Sequence, residues 1–207
     1  MQQKVYQIAM EIAGPTALFS RPDSGDSPTS YPVPTPSAIR GIFESILWGP
    51  DIRIVPTVVE VCAPIQYYSY VTNYGGPLRA SKSIQKGTNY QLYATVLIDV
   101  CYRLYANVEI NHHKRNLPQR ALEWDRKTTS PGHAYQEIFN RRLKRGQAFS
   151  IPVLGWKEFT PSYFGPIPSM LKEVFPYGYR SSYDAVYSQA LRIHKGRLEF
   201  PQEGEDK

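Results

Sequence analysis

The sequence predicts an α+β domain in which two helices accompany a β-sheet. Apolar residues recur at helical spacing in two segments, one beginning at residue 36 and one at about 131–147. Runs rich in β-branched and aromatic residues lie before, between and after these segments. The resulting order, strand, helix, strand, strand, helix, strand, is the ferredoxin-like plan.

The first helix follows a proline-rich lead-in. Pro32 and Pro34 keep this lead-in extended, because a proline disfavours helix in the residue before it. Thr35 suits the N-cap and Pro36 the first helical position, and Pro50 ends the helix. Its apolar face is formed by Ile39, Ile42, Phe43, Ile46 and Leu47. Gly41 costs about 1 kcal/mol relative to alanine, which predicts a close backbone approach at that position.

Strands are predicted at 4–13, 51–65, 92–98, 100–110 and 149–159, with a break or bulge at Pro56 and a junction at Asp99. Residues 20–31 are rich in Ser, Pro and Asp, so we expect a mobile loop there. A C-terminal hairpin is predicted at 186–201, turning at 194–196, and the tail 203–207 should fray. We therefore divide the chain into a ferredoxin-like domain at 1–165 and a C-terminal β extension at 166–207.

Residues 66–90 show no apolar period, and they carry tyrosines followed by Arg79 and Lys82. Such a segment is typical of an inserted β-arm that carries aromatic and cationic side chains to a partner. A disordered surface loop is the alternative interpretation, given its Gly, Ser and Lys content.

Composition restricts the class of protein. Lys and Arg total 24 against 18 Asp and Glu, and the pI near 9.2 suits a polyanionic partner without requiring one. Sixteen tyrosines suit base stacking, although we expect most of them to fill sheet faces. The two cysteines lack metal-ligand spacing, and no apolar run reaches about 18 residues. We therefore expect a cytoplasmic protein with no metal, no cofactor and no membrane span.

The second helix ends in a cluster of cations. Cations at a helix C-terminus are stabilised by the negative end of the helix dipole, so part of this cluster has a purely structural explanation. Together with Arg40 and Gly41 of the first helix, and Arg79 and Lys82 of the arm, they are our candidates for contacting RNA. The cluster consists of Arg141, Arg142, Lys144 and Arg145.

Two long motifs resemble one known family. The first is P-T-P-S-A-x-R-G-I-x-E-S-I-x-W at 34–48, followed by A-P-I-Q at 63–66. The second is E-I-F-N-R-R-L-x-R-G-Q-x-F at 137–149, followed by L-G-x-x-E-F at 154–159. Over most of 5–200 the chain is similar to the CRISPR-associated Cas-five family of the RAMP superfamily, type I-C (Dvulg) subtype. This resemblance implies a ferredoxin-like RAMP fold with an inserted arm and a C-terminal β extension.

The resemblance also implies two activities. Members of this subtype cut the repeat of precursor CRISPR RNA without a metal, and then remain on its 5′ handle within the Cascade complex. The expected partners are CRISPR RNA, the large and backbone Cascade subunits, and target DNA within the complex. In the family, the cut is assigned to a tyrosine on the first helix and a lysine–histidine pair at the start of the second.

Those three family positions fall here on Leu47, Ala134 and Tyr135. Leucine transfers no proton, alanine carries no charge, and tyrosine has an unperturbed pKa near 10, too high for a base at neutral pH. The substitute candidates for catalysis are His112, His113, Lys114, His133 and Tyr135. A phosphate-gripping loop is the alternative interpretation of residues 112–114.

Three hypotheses follow from these residues. We favour a Cascade subunit that binds the 5′ handle without cutting it. The second hypothesis is an active endoribonuclease with a relocated site, and the third is a stand-alone module that binds single-stranded RNA. The long motifs argue against the third, and the replaced triad favours the first over the second.

Overall fold

The structure is a computed structural model, and it describes residues 5–74, 90–111, 119–120, 123, 130–168, 185–186 and 192–201. Two long helices and eight strands are defined within these ranges. The helices are α1 (Pro36–Ile46) and α2 (Pro131–Lys144). The strands are β1 (Tyr6–Ala17), β2 (Ile52–Val61), β3 (Gln66–Tyr74), β4 (Tyr90–Ile110), β5 (Tyr163–Gly165), β6 (Ala185–Val186), β7 (Arg192–Ile193) and β8 (Arg197–Glu199).

The main sheet has the strand order β5-β1-β4-β2-β8, and every neighbouring pair in it is antiparallel. Strand β4 lies at its centre and pairs with β1 from Leu97 to Val108. With β4 as the third strand of the ferredoxin-like plan and β5 as the fourth, the order 4-1-3-2 of that plan is complete. The predicted α+β, ferredoxin-like fold is confirmed.

Helix α1 begins as the sequence predicts. The Thr35 hydroxyl accepts a hydrogen bond from the Ala38 backbone N–H at 3.2 Å, and Pro36 occupies the first turn. The apolar positions Ile39, Ile42 and Phe43 are at most 2% exposed. The helix therefore lies with one face fully against the sheet.

Helix α2 ends in a Schellman motif. Gly146 has φ +63°, and its N–H donates to Leu143 O at 3.1 Å, while Gln147 N–H donates to Arg142 O at 2.9 Å. The left-handed backbone conformation at this position favours glycine. The predicted helix over 131–147 thus ends slightly earlier, at Lys144.

The core lies between the sheet and the two helices. Ile8, Met10 and Ile12 of β1 are almost completely buried on the helix-facing side. The rings of Phe43 and Phe139 join α1 to α2, with centroids 5.5 Å apart. Replacing such a fully buried phenylalanine by alanine costs about 3–5 kcal/mol.

The opposite face of the sheet holds a buried ion pair. Arg103 Nε of β4 donates to Glu11 Oε2 of β1 at 3.0 Å, and the two side chains are 7% and 0% exposed. These residues face each other directly in the strand register. Beside them lies a small buried cluster that contains the free thiols of Cys62 and Cys101.

Two predicted strand assignments differ from the structure. The runs predicted at 92–98 and 100–110 form the single strand β4, in which Asp99 takes φ +52° without changing the register with β1. No strand forms at 149–159; β5 lies later, at Tyr163–Gly165. Gly155 explains this, because its φ is +94° and an added Cβ would lie 1.8 Å from Leu18 O.

Residues 20–31, predicted to be a mobile loop, are tied to the sheet. Ser30 N–H donates to Thr95 O at 3.0 Å, and Thr95 N–H donates to Pro28 O at 2.8 Å. The Ser30 hydroxyl is buried and accepts from Phe19 N–H at 2.9 Å. The segment is therefore a loop of turns at 21–27, as its polar composition indicated, and backbone pairing anchors its 28–30 end to β4.

The arm and the C-terminal hairpin extend the plan. Strand β3 pairs with the first half of β4, from Gln66 with Ile98 to Tyr74 with Tyr90, so the base of the predicted arm is a β-hairpin. The register of β2 shifts after Pro56, as predicted. Lys195 and Gly196 both have positive φ and close the turn before β8, which pairs with β2. The division at residue 165 stays a prediction.

Candidate nucleic-acid interface

A pocket of about 260 Å³ lies between the end of α1 and α2. Its walls are almost entirely apolar. The segment from Leu47 to Ile52 forms one wall, and α2 forms the other. The lining residues are Leu47, Trp48, Gly49, Pro50, Asp51, Ile52, Tyr135, Ile138 and Arg142.

Two side chains of α2 bind the last carbonyls of α1. The Tyr135 hydroxyl donates to Leu47 O at 2.5 Å, and Arg142 Nη1 donates to Ile46 O at 2.9 Å. The last carbonyls of a helix have no partner within the helix, and they carry the negative end of its dipole. These bonds therefore fix the end of α1 against α2 beside the pocket.

Tyr135 is held as a neutral phenol. Its side chain is 3% exposed and its ring stacks on Phe139, with centroids 6.1 Å apart. Burial, with a smaller contribution from the nearby Glu44 carboxylate, raises the pKa of Tyr135 well above its ordinary value. At neutral pH this hydroxyl is a hydrogen-bond donor that is already engaged, and it is unsuited to remove a proton.

The other two family positions supply no acid–base group. Leu47 lies at the pocket and contacts α2 through its carbonyl. Ala134 is half-buried in the first turn of α2, where its N–H donates to Ser130 O at 3.0 Å. The fold thus brings Leu47 and Tyr135 together, at the place where the resemblance puts catalysis, and neither of these two side chains is free to transfer a proton.

His133 is exposed on the neighbouring side of α2. Its ring lies 5.8 Å from the ring of Tyr6, whose hydroxyl shares a hydrogen bond with Ser130 at 3.0 Å. His112, His113 and Lys114, the other substitute candidates, lie outside the described residues. The burial of Tyr135 and the hydrogen bond that its hydroxyl donates disfavour it as a base, and its catalytic role stays a prediction.

The cations at the end of α2 divide into two groups. Arg141, Lys144 and Arg145 are exposed, and Arg142 points inward and binds α1. The sequence placed all four together as RNA contacts. Arg141, Lys144 and Arg145 therefore present their charges to solvent, whereas the guanidinium of Arg142 is engaged by α1.

The predicted residues outside this cluster are placed differently. Arg40 is exposed on α1, and its Nε donates to Ile54 O of β2 at 3.2 Å. Gly41 is exposed, and a Cβ added there would meet nothing within 4 Å. The expected close backbone approach at Gly41 is thus wrong within the described chain. Arg79 and Lys82 lie outside the described residues.

Sequence reasoning missed the pocket wall after α1. Trp48 is 59% exposed although it is the largest apolar side chain of its segment, and Asp51 is buried beside it. The exposed tryptophan directly after a helix end was the available signal. Sequence periodicity could not reveal that α2 faces this segment, because the two are more than 80 residues apart.

Two further properties concern only the part of the chain that the structure describes. Within it, no three His, Cys, Asp or Glu side chains gather closely enough to hold a metal ion. None of its helices has both the length and the apolar character needed to span a membrane.

An antiparallel sheet in the order 4-1-3-2 beneath two helices defines a ferredoxin-like α+β protein. Comparison with known proteins then identifies the family. The model of the CRISPR-associated protein family Cas5, in its Cas5d form, matches residues 7–185. The chain therefore belongs to the Cas5 family of CRISPR-associated proteins.

Two relatives share this similarity. A CRISPR pre-crRNA endoribonuclease Cas5d from Thermus thermophilus is 34% identical over 161 residues, which cover 77% of this chain and 64% of that protein. The protein of the same description from Mannheimia succiniciproducens is 32% identical over 176 residues, which cover 78% and 72% of the two chains. This chain thus spans less than two thirds of the Thermus relative.

Solved structures share the fold. The crystal structure of a CRISPR-associated protein superposes with a TM-score of 0.69 at 20% identity, covering 99% of this chain and 97% of that one. A functionally uncharacterized protein from Streptococcus mutans superposes with a TM-score of 0.66 at 21% identity and the same coverage. At this identity the likeness concerns the fold alone.

Proposed function

We propose that this chain is a Cas5 subunit of a type I-C-like Cascade complex in the cytoplasm, and that it binds the 5′ handle of CRISPR RNA without cutting it. Its role is to hold one end of the guide and to contact the large and backbone subunits. Target DNA within the complex is a further partner. The two relatives are described as pre-crRNA endoribonucleases, which supports RNA as the ligand.

One observation carries the non-cutting part. At the position where the resemblance expects a catalytic tyrosine there is Leu47, and its carbonyl accepts a hydrogen bond from the hydroxyl of Tyr135. A 2′-OH attack on the neighbouring phosphate needs a base, a cation for the phosphorane and an acid for the leaving oxygen. The side chains at the three family positions supply none of these groups in a usable state, and the guanidinium of Arg142 beside them already donates to Ile46 O.

RNA binding rests on different residues, which explains how binding can persist without cutting. Arg141, Lys144 and Arg145 present three exposed cations on one helix end. Arg40 and Gly41 of α1, Arg142 beside the pocket, and Arg79 and Lys82 of the arm complete the proposed contacts. Cationic side chains bind phosphates without reading sequence, and they release counterions when they do so.

A relocated active site remains the second candidate function. His133 supports it, because it is exposed in the first turn of α2, next to the family's lysine position at Ala134 and two residues from the family's histidine position at Tyr135. His112, His113 and Lys114 are the other members of this alternative. A stand-alone RNA-binding module is disfavoured by membership of the Cas5 family.

Binding of labelled 5′-handle RNA to the purified chain, measured over a series of salt concentrations, tests the proposal. We expect the logarithm of the association constant to fall linearly with the logarithm of salt concentration, with a slope of about −0.7 per phosphate contact on a single strand. An affinity that is absent, or that does not change with salt, would refute the proposed binding mode.

A further inference from the structure

The pocket beside α2 is open to solvent and apolar, and nothing in the described chain fills it. Trp48 stands at its rim with 59% of its surface exposed, and half-buried Ile138 faces it from α2. An indole exposed to this extent forgoes the stabilisation that burial of an aromatic side chain brings. A ligand that covers Trp48 would recover that stabilisation.

The size and lining of the pocket restrict the ligand. Pockets for drug-sized molecules range from about 300 to 1,000 Å³. A pocket of about 260 Å³ therefore suits one planar ring system rather than a larger molecule. Apolar walls with an aromatic side chain at the rim favour a flat heterocycle that stacks.

The surrounding charge indicates what the heterocycle is attached to. Arg142 lines the pocket, and its Nη1 donates to Ile46 O, so the guanidinium is held in place. The next turn of α2 carries the exposed cations Lys144 and Arg145. Cations on the helix that forms one wall favour a ligand joined to a phosphate backbone.

We infer that this pocket receives one unpaired nucleobase of the bound RNA, which stacks on Trp48 while the α2 cations hold the adjoining phosphates. The inference rests on the proposed function, since it names a subsite for the same RNA. A base held in this pocket, beside Leu47 and Tyr135, would fix which nucleotide of the RNA lies at this position. Stacking of a base on an aromatic side chain contributes about 1–3 kcal/mol, or about a 5- to 150-fold change in affinity.

The test is an abasic scan of the 5′-handle RNA. Each nucleotide in turn is replaced by a ribose without a base, which keeps every phosphate, and affinity for the wild-type chain is measured. We expect one position at which loss of the base weakens binding by about 5- to 150-fold. In Trp48→Ala, intact RNA should bind more weakly by a similar factor, and the abasic change at that position should have little further effect.

Two variants control the experiment. Trp48→Phe keeps an aromatic face and should retain most of the affinity and the sensitive position. Phe149→Ala removes an aromatic side chain that is 84% exposed but does not line the pocket, and it should leave the sensitivity at that position unchanged. Thermal melts of all variants check folding, and the high exposure of both side chains predicts little change.

The outcomes separate the two proposals. If RNA binds with the expected salt dependence but no single base matters, or if the sensitive base matters equally in Trp48→Ala, the base pocket is refuted and the proposed function stands. An apolar side chain from another subunit would then be the occupant. If no RNA binds, the proposed function fails and the base pocket fails with it.

Discussion

The hydroxyl of Tyr135 donates a 2.5 Å hydrogen bond to the backbone carbonyl of Leu47, across 88 residues of chain. Both residues stand where the resemblance to the Cas5 family expects catalytic side chains. The bond joins the end of α1 to the first turns of α2, and burial keeps the phenol neutral. The contact therefore has a structural role, because it ties the end of α1 to α2.

The exposed cations of α2 should each contribute one phosphate contact. Arg141→Gln, Lys144→Gln and Arg145→Gln are expected to reduce the salt slope of RNA binding by about 0.7 each. Arg21→Gln is the matched control, because the Arg21 guanidinium already pairs with Asp23 at 2.6 Å on the surface. Equal slopes for the wild type and all three α2 variants would remove this helix from the binding surface.

The buried pair of Glu11 and Arg103 should dominate the stability of the sheet face opposite α1 and α2. Arg103→Met leaves a buried carboxylate without its cation, and we expect a loss of about 3–5 kcal/mol in the free energy of unfolding. The double variant Glu11→Leu/Arg103→Met should be more stable than Arg103→Met alone. Denaturant titration measures both.

The control for that prediction is the ion pair of Arg53 and Glu109. Arg53 Nη2 lies 3.0 Å from Glu109 Oε2, but the two side chains are 36% and 42% exposed. Glu109→Gln should change stability by at most about 1 kcal/mol. If Arg103→Met cost no more than Glu109→Gln, the Glu11–Arg103 pair would not be the buried tie that its geometry indicates.

Glu44 should make the protein less stable as the pH rises. Burial raises the pKa of its carboxyl above the ordinary value of 4.5, and Arg40 opposes this only in part. The folded chain therefore holds the proton more tightly than the unfolded chain, and stability falls as pH rises from 4.5 through the folded pKa.

Glu44→Gln removes this titration. We expect Glu44→Gln to be more stable than the wild type at neutral pH, and the difference to vanish below the unfolded pKa. Urea midpoints at both pH values measure the effect. A constant difference at both values would show that the carboxyl does not titrate differently on folding.

Local signals predicted the parts of the fold that depend on local chemistry. Thr35 and Pro36 specify the start of α1, and Gly146 specifies the end of α2, because caps act within one helical turn. The last strand was misplaced because Gly155 and its close approach to Leu18 are contacts between distant segments. No pattern within 149–159 contains that information.

The candidate site was predictable in its residues and only partly in its arrangement. The motif spacing identified Leu47, Ala134 and Tyr135, and the structure brings the first and third together. It did not indicate that Arg142 turns inward to Ile46 or that Trp48 borders a pocket. These facts depend on how two helices face each other, which residue spacing does not determine.

Repairing the three positions should restore cutting if the scaffold still aligns the RNA. Leu47→Tyr, Ala134→Lys and Tyr135→His together supply a base, a cation and an acid. Each general acid–base group typically contributes about 10² to 10⁴ in rate, so single replacements should remain far below the triple variant. The rate of product formation from repeat RNA, under conditions of excess protein, measures this.

The most direct test of the central claim is incubation of the purified wild-type chain with its cognate repeat RNA in EDTA at neutral pH. Products are resolved by length, and binding is confirmed in the same samples. We predict that the RNA is bound and remains uncut. A single discrete product carrying the 5′ handle would contradict the account, and its loss in one of His112→Ala, His113→Ala or His133→Ala would identify the residue that replaced the family's catalytic group.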